Sequence, residues 1–259
     1  MTDLDIARER QDKAAIPPVR LRWGPWATLA WGLGAATVMV ATQTLGAIGY
    51  VLWQRSVHPD HPIRVEDLPS NGPALAAAFI VSAPFLFGVI ALAAGLSRQG
   101  THEYLGLRWP RSRDMAIGVA TIAGVLLFSG VTASLLGKEA PAFTTDTFAT
   151  AAAAGSLPLY VFAFVILAPV QEELLFRGFL YRGFAPTLGP APAVILLSAV
   201  WALFHVQYEW FFVGEIFVLG LAFGWLRWLS GSTLLTIMLH ATVNGLAMLE
   251  AAALVDCPS

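Results

Sequence analysis

Two adjacent glutamates, Glu172 and Glu173, follow an apolar stretch that runs from Leu157 to Val170. A charge at the centre of a membrane-crossing helix costs roughly 2.5–3.5 kcal/mol on insertion scales, so a pair of carboxylates there needs a reason. On a helix that turns about 100° per residue, Glu173 and Arg177 stack at i, i+4, while Glu172 faces another way. Arg177 can neutralise Glu173, and Glu172 is left with no partner on its own helix. A carboxylate so placed suits a general base working near neutrality. The alternative reading is a helix cap or an acidic pair at headgroup level.

Two histidines extend the pattern. Trp201 and His205 share a helix face at i, i+4, and so do His240 and Asn244. A lone histidine in an apolar helix is more often a packed, hydrogen-bonded core residue, but depth argues otherwise here. If the chain forms a helical hairpin about Thr187-Leu188-Gly189-Pro190, residues equidistant from the turn sit level, and Glu172 and His205 are such a pair. His240 lies about nine residues beyond the turn Ser230-Gly231-Ser232, roughly 14 Å by the helical rise, and Asn244 one turn deeper. Glu172 lies about twelve residues from a helix end at Gly183, roughly 18 Å. The four positions converge near one level.

Membrane-crossing helices must hold these residues. Of 259 residues 57% are hydrophobic and 12% charged, and the mean hydropathy is +0.67, a composition that no soluble domain of this size needs. Apolar runs of about spanning length recur at 27–53, 74–96, 115–136, 157 to about 183, 191–205, 210–228 and 234–255. The fifth is short for a hydrocarbon core of roughly 30 Å, so it either crosses a thinned region or ends inside protein. The Thr- and Ala-rich stretch 143–155 reads as a loop with an interfacial helix, an eighth membrane element being the alternative. The expectation is therefore an all-α, polytopic transmembrane helix bundle of about seven to eight spans. It divides into a leader (1–26), a three-span N-terminal region (27–136) holding a basic segment (97–114), a loop (137–156) and a four-span core (157–255).

Charge placement gives an orientation. Arg8, Arg10, Lys13, Arg20 and Arg22 lead, and Arg98, Arg108, Arg111 and Arg113 follow the second run, whereas Arg55 and Arg64 stand among Asp60, Glu66 and Asp67. Arg182 and Arg227 fall on the same side as the leader. By the positive-inside rule the N-terminus is cytoplasmic. The leader is too long, and the first run too extended, for a cleaved signal peptide, so an uncleaved first span is expected. The segment 101–114 sets Leu105, Leu107 and Trp109 beside arginines and reads either as a headgroup-level element or as a solvated basic loop. With a net charge of −2 and pI near 6.2, nucleic acid is excluded as a general partner. The single cysteine, Cys257, can form no intramolecular disulfide and is no prenylation box.

The order Glu-Glu-x-x-x-Arg (Glu172, Glu173, Arg177), aromatic-x-x-x-His (Trp201 to His205) and His-x-x-x-Asn (His240 to Asn244) resembles the CAAX protease and bacteriocin-processing (CPBP) family, the Abi or Rce1-like intramembrane proteases. The resemblance covers about residues 157–250 and departs at Trp201, where the family usually has Phe. It implies a packed bundle with a water-filled cavity open toward the cytoplasmic leaflet, and peptide-bond hydrolysis. Carried onto this sequence, Glu172 with His205 activates water, His240 with Asn244 stabilises the oxyanion, and Glu173 with Arg177 holds the site in shape.

Metal use stays open at this point. Glu172, His205 and His240 could supply three ligands to a zinc ion, though His-Glu-x-x-His is lacking, and metal-free water activation is the preferred reading. The expected partners are a peptide or membrane-protein substrate and the lipid bilayer, in a bacterial plasma membrane. Lipidated or prenylated C-terminal boxes, bacteriocin leaders and membrane-bound regulators are not distinguished, nor is the oligomeric state. Two other classes compete: a proton-coupled transporter, which lacks support because the N-terminal half holds no intramembrane charge or repeat, and a non-catalytic scaffold or self-immunity protein.

Overall fold

The computed structural model describes residues 23–60, 62–97 and 99–256, with only the backbone of Asp256. Arg8, Arg10, Lys13, Arg20, Arg22, Arg98 and Cys257 lie outside the described residues. Those described form nine helices, all other segments being turns, one short 3₁₀ stretch and connections. They are α1 (Pro25–Val57), α2 (Gly72–Gly95), the single turn α3 (Thr101–Tyr104), α4 (Ser112–Leu135), α5 (Ala142–Ala153), α6 (Leu157–Leu188), α7 (Pro190–Leu203), α8 (Trp210–Ser230) and α9 (Thr233–Asp256). The all-α bundle expected from composition is what folds.

Six of these, α1, α2, α4, α6, α8 and α9, are long and apolar enough to cross a membrane. The fifth of the expected spans is α7, whose 14 residues rise only about 21 Å. It ends at Leu203, so His205 lies not on the helix, as expected, but in the turn beyond it. The stretch expected as a loop with an interfacial helix is mostly the 12-residue α5. Its Thr147, Phe148 and Ala151 are buried, and it packs on α2 and α9. Thr150 Oγ1 accepts from Gly72 N–H, tying α5 to the start of α2.

Polarity is inverted relative to a soluble protein. Gln171, Glu173, Arg177 and His240 are buried, while Leu33, Leu45, Leu52, Leu127, Phe128, Leu135 and Leu249 face outward. A lipid solvent dictates this: apolar side chains lose nothing there, and polar groups must find partners inside the bundle.

Local sequence sets the turns that matter for the site. Gly189 begins the α6–α7 hairpin with Pro190 in the first turn of α7, the geometry expected from the sequence. Gly231 closes α8 in the left-handed region at φ 65°. Ser232 then caps α9 by accepting from Leu235 N–H. The basic segment is not a freely solvated loop, since its backbone docks on this turn. Thr233 N–H donates to Gly106 O, and the Ser232 and Thr233 hydroxyls donate to Arg108 O and Leu105 O.

Candidate functional site

The site is built around α6, which departs twice from α-helical register, with π-helical turns at Ala163–Leu167 and Leu174–Leu180. In the first turn Ala168 N–H bonds to Ala163 O. The next residue able to reach Phe164 O in that register is Pro169, which has no N–H. Phe164 O is therefore left for another donor, and Asn244 Nδ2 on α9 supplies it at 2.8 Å. Asn244, expected beside His240, is thus held toward Phe164, two turns of α6 away from Glu172.

The two glutamates have different surroundings. Glu173 Oε1 accepts from Arg177 Nη1 at 3.0 Å and from His240 Nδ1 at 3.0 Å. All three side chains are buried. Arg177 Nη2 also donates to Gly220 O at 3.2 Å, and its guanidinium lies 4.5 Å from the Trp201 ring centroid. The i, i+4 pairing of Glu173 with Arg177 is as the sequence predicts. What spacing did not show is that Glu173 also orients His240: its carboxylate takes Nδ1–H and leaves Nε2 for other work. Phe223 stacks on the His240 ring at 5.2 Å, which fixes its plane.

Glu172 lacks a partner on its own helix but has tertiary ones. Trp201 Nε1 donates to Glu172 Oε2 at 2.5 Å, so Trp201, expected only as an aromatic wall, is a donor to this carboxylate. His205 Nε2 stands 3.9 Å from the same oxygen, each side chain 17% exposed. That gap is too long for a direct hydrogen bond and suits one shared through water. His205 Nδ1 lies 2.9 Å from Trp201 O. A carbonyl can only accept, so Nδ1 carries the proton and Nε2 presents a lone pair toward Glu172.

Close approach of α7 and α8 holds Trp201 in place. A Cβ at Gly220 would sit 3.0 Å from Ser198 Cβ and from the Trp201 ring, so only glycine lets the helices meet there. Gln171, buried beside the glutamates, is fixed by Ser82 Oγ at 2.8 Å and donates to Phe79 O at 3.1 Å. Sequence reasoning passed over it, although a glutamine next to two intramembrane glutamates is itself a signal.

These groups open on a cavity of about 960 Å³ lined by Glu172, Trp201, His205, Tyr208, His240 and Asn244. Its outer lining includes Pro69, Lys138, Glu139 and Pro141. Those residues sit in the connections after α1 and α4, at the end of the bundle opposite the start of α1. The cavity expected from the resemblance is present. A cytoplasmic N-terminus and a cavity facing the cytoplasmic leaflet, however, cannot both hold. The connection carrying His205 is anchored at this end. Tyr208 stacks edge-on with Phe143 at 5.0 Å, and Glu209 pairs with Lys138 at 2.8 Å. Burial pushes the Tyr208 phenol up to about 12, so it stays a proton donor.

Glu172, His205 and His240, the candidate zinc ligands, are not grouped around one point. Trp201 lies between the histidines, its ring 5.0 Å from that of His205 and 5.4 Å from that of His240. Among the described residues no three His, Cys, Asp or Glu side chains are grouped to hold a metal.

Comparison with known proteins falls on the same helices. The family model for "Type II CAAX prenyl endopeptidase Rce1-like" matches residues 154–246, from the end of α5 into α9. This segment is similar to an Rce1-like domain and contains Glu172, Trp201, His205, Tyr208, His240 and Asn244 of the cavity lining. A protein of Escherichia coli described as an uncharacterized 24.3 kDa protein is 32% identical over 147 residues, covering 51% of this chain and 64% of the relative. No solved structure matches. With six helices long and apolar enough to cross a membrane, the chain is an integral membrane protein.

Proposed function

We propose that the chain is an intramembrane endopeptidase that hydrolyses peptide bonds of membrane-associated or lipidated substrates. The observation that carries this reading is the pairing of Glu172 with His205 Nε2 across a water-sized gap inside the cavity. The Rce1-like match supports it at family level.

A water between the two side chains loses a proton to Glu172 as its oxygen attacks the scissile carbonyl, with His205 orienting it. The carbon–oxygen bond forms, the carbonyl becomes an oxyanion, and the proton held by Glu172 passes to the departing amine as the carbon–nitrogen bond breaks. With Nδ1–H held by Glu173, His240 can serve the oxyanion only as the imidazolium, whose Nε2–H then donates to it. The second N–H of Asn244, which Phe164 O does not use, is the other candidate donor. Arg177 balances the Glu173 charge, so the assembly carries a buried carboxylate without net negative charge.

The arginines at the α1 end argue for a cytoplasmic N-terminus in a bacterial plasma membrane. The cavity then faces the opposite side, which favours secreted or membrane-bound peptides over C-terminal boxes prenylated in the cytoplasm.

The test is cleavage of a membrane-peptide library by the purified chain in liposomes. Glu172→Ala and His205→Ala should each lower the rate about 10²–10⁴-fold. Undiminished cleavage by both variants overturns the site, and no cleavage by the wild type favours the scaffold reading.

A further inference from the structure

At the end of the bundle away from the cavity, three arginines gather with no acid among the described residues in ion-pairing distance. Arg227, 7% exposed in the last turn of α8, uses Nε on Arg177 O at 3.0 Å and lays its guanidinium 5.4 Å from the Tyr181 ring centroid. Its two terminal nitrogens make no hydrogen bond to any described residue. Arg108 donates to Ser230 O across the α8–α9 turn, and Arg182 Nη2 donates to Gln99 Oε1 at 2.9 Å. Arg182 Nε is buried with no partner at all. Arg108 and Arg182 are each close enough to Arg227 for their charges to oppose its own. None of the three has a carboxylate within ion-pairing distance among the described residues, in contrast to Arg177, which has Glu173.

Gathering three like charges, one of them buried, is unfavourable unless an anion joins them. Guanidinium forks with free N–H groups match the oxygens of a phosphate. Exposed Trp26, Trp109 and Trp228 mark the same end of the bundle as headgroup level. We propose that Arg108, Arg182 and Arg227 form a phosphate-binding site, with the headgroup of an anionic phospholipid as its occupant.

Occupancy ties three elements together: the end of α6, the α8–α9 turn and the docked segment that carries Arg108. Arg227 also holds Arg177 O, which links the site through one backbone carbonyl to the residue that pairs with Glu173.

The experiment is native mass spectrometry of the purified full chain, delipidated and then titrated with phosphatidylglycerol, with phosphatidylcholine, or with inorganic phosphate. Wild type should retain phosphatidylglycerol and not phosphatidylcholine. An Arg108→Gln/Arg182→Gln double variant, which spares the buried Arg227, should bind phosphatidylglycerol about 30-fold more weakly. Arg111→Gln/Arg113→Gln, altering exposed arginines of the same segment, should bind as wild type does, which separates a built site from general charge attraction. Competition by millimolar inorganic phosphate that matches the lipid's affinity would assign the site to free phosphate and overturn the lipid as occupant. Equal binding by wild type and the Arg108/Arg182 variant, or none by either, overturns the site.

Discussion

Adjacent glutamates should give opposite phenotypes. Glu173→Gln removes the one carboxylate among the described residues within ion-pairing distance of Arg177, with both side chains almost fully buried at 0% and 3% exposure. The guanidinium would keep Gly220 O and the Trp201 face but no paired counter-charge. Breaking a buried pair by removing one partner costs about 3–5 kcal/mol. For a chain of this size that corresponds to about 6–20 °C in melting temperature. Glu172→Gln instead changes a side chain on the cavity wall, and the new amide oxygen can still accept the Trp201 N–H. It should melt within about 2 °C of wild type while losing cleavage. A double variant, Glu173→Gln with Arg177→Met, removes both charges and should recover much of the loss, because an uncharged replacement of a buried pair is often tolerated. The assay is thermal unfolding in detergent followed by tryptophan fluorescence, run beside cleavage well below the transition. If Glu173→Gln melts within 2 °C of wild type, or Glu172→Gln falls as far as it does, the division of labour between the two acids is wrong.

Three further outcomes follow from the same geometry. Asn244→Leu should strand the Phe164 carbonyl and cost about 1–3 kcal/mol, read as a lower melting temperature; an unchanged value would mean the π turn satisfies itself. Lys138→Ala breaks an ion pair whose members are 37% and 66% exposed, so it should cost at most about 1 kcal/mol, an effect that disappears in high salt. In a Cys257→Ser background in intact bacterial cells, a membrane-impermeant maleimide should label Glu139→Cys and spare Arg111→Cys; the reverse pattern would turn the bundle over and return the cavity to the cytoplasmic side.

Much of the bundle was legible because lipid imposes a simple rule: long apolar runs become helices, and buried charge marks a site. Glu172, Glu173, Arg177, His205 and His240 were found on that rule, and the hairpin at Gly189 placed Glu172 opposite His205 from residue spacing alone. Three things were not legible. His205 leaves the helix because α7 stops at Leu203, a boundary that apolar composition continuing through Phe204 and Val206 conceals. α5 has too few large apolar residues to announce itself as buried, yet it packs because its alanines and threonines allow close approach. The facing of the cavity was hidden as well, since loop charge reports which end of the bundle is cytoplasmic and carries no information about where helices part.

The role of Asn244 shows why spacing alone could not partition the site. His240 and Asn244 are one turn apart on α9, and an ideal helix on the facing side would offer both the same partner. α6 is not ideal: its π turn displaces the register just where Pro169 cannot donate, so a backbone acceptor appears at Phe164 and draws Asn244 to it. His240, one turn nearer the start of α9, meets Glu173 instead. A single proline thus separates two residues that the sequence pairs. It leaves His240 with a carboxylate that fixes its proton and Asn244 with a carbonyl that fixes its amide, each with one polar edge still free toward the cavity.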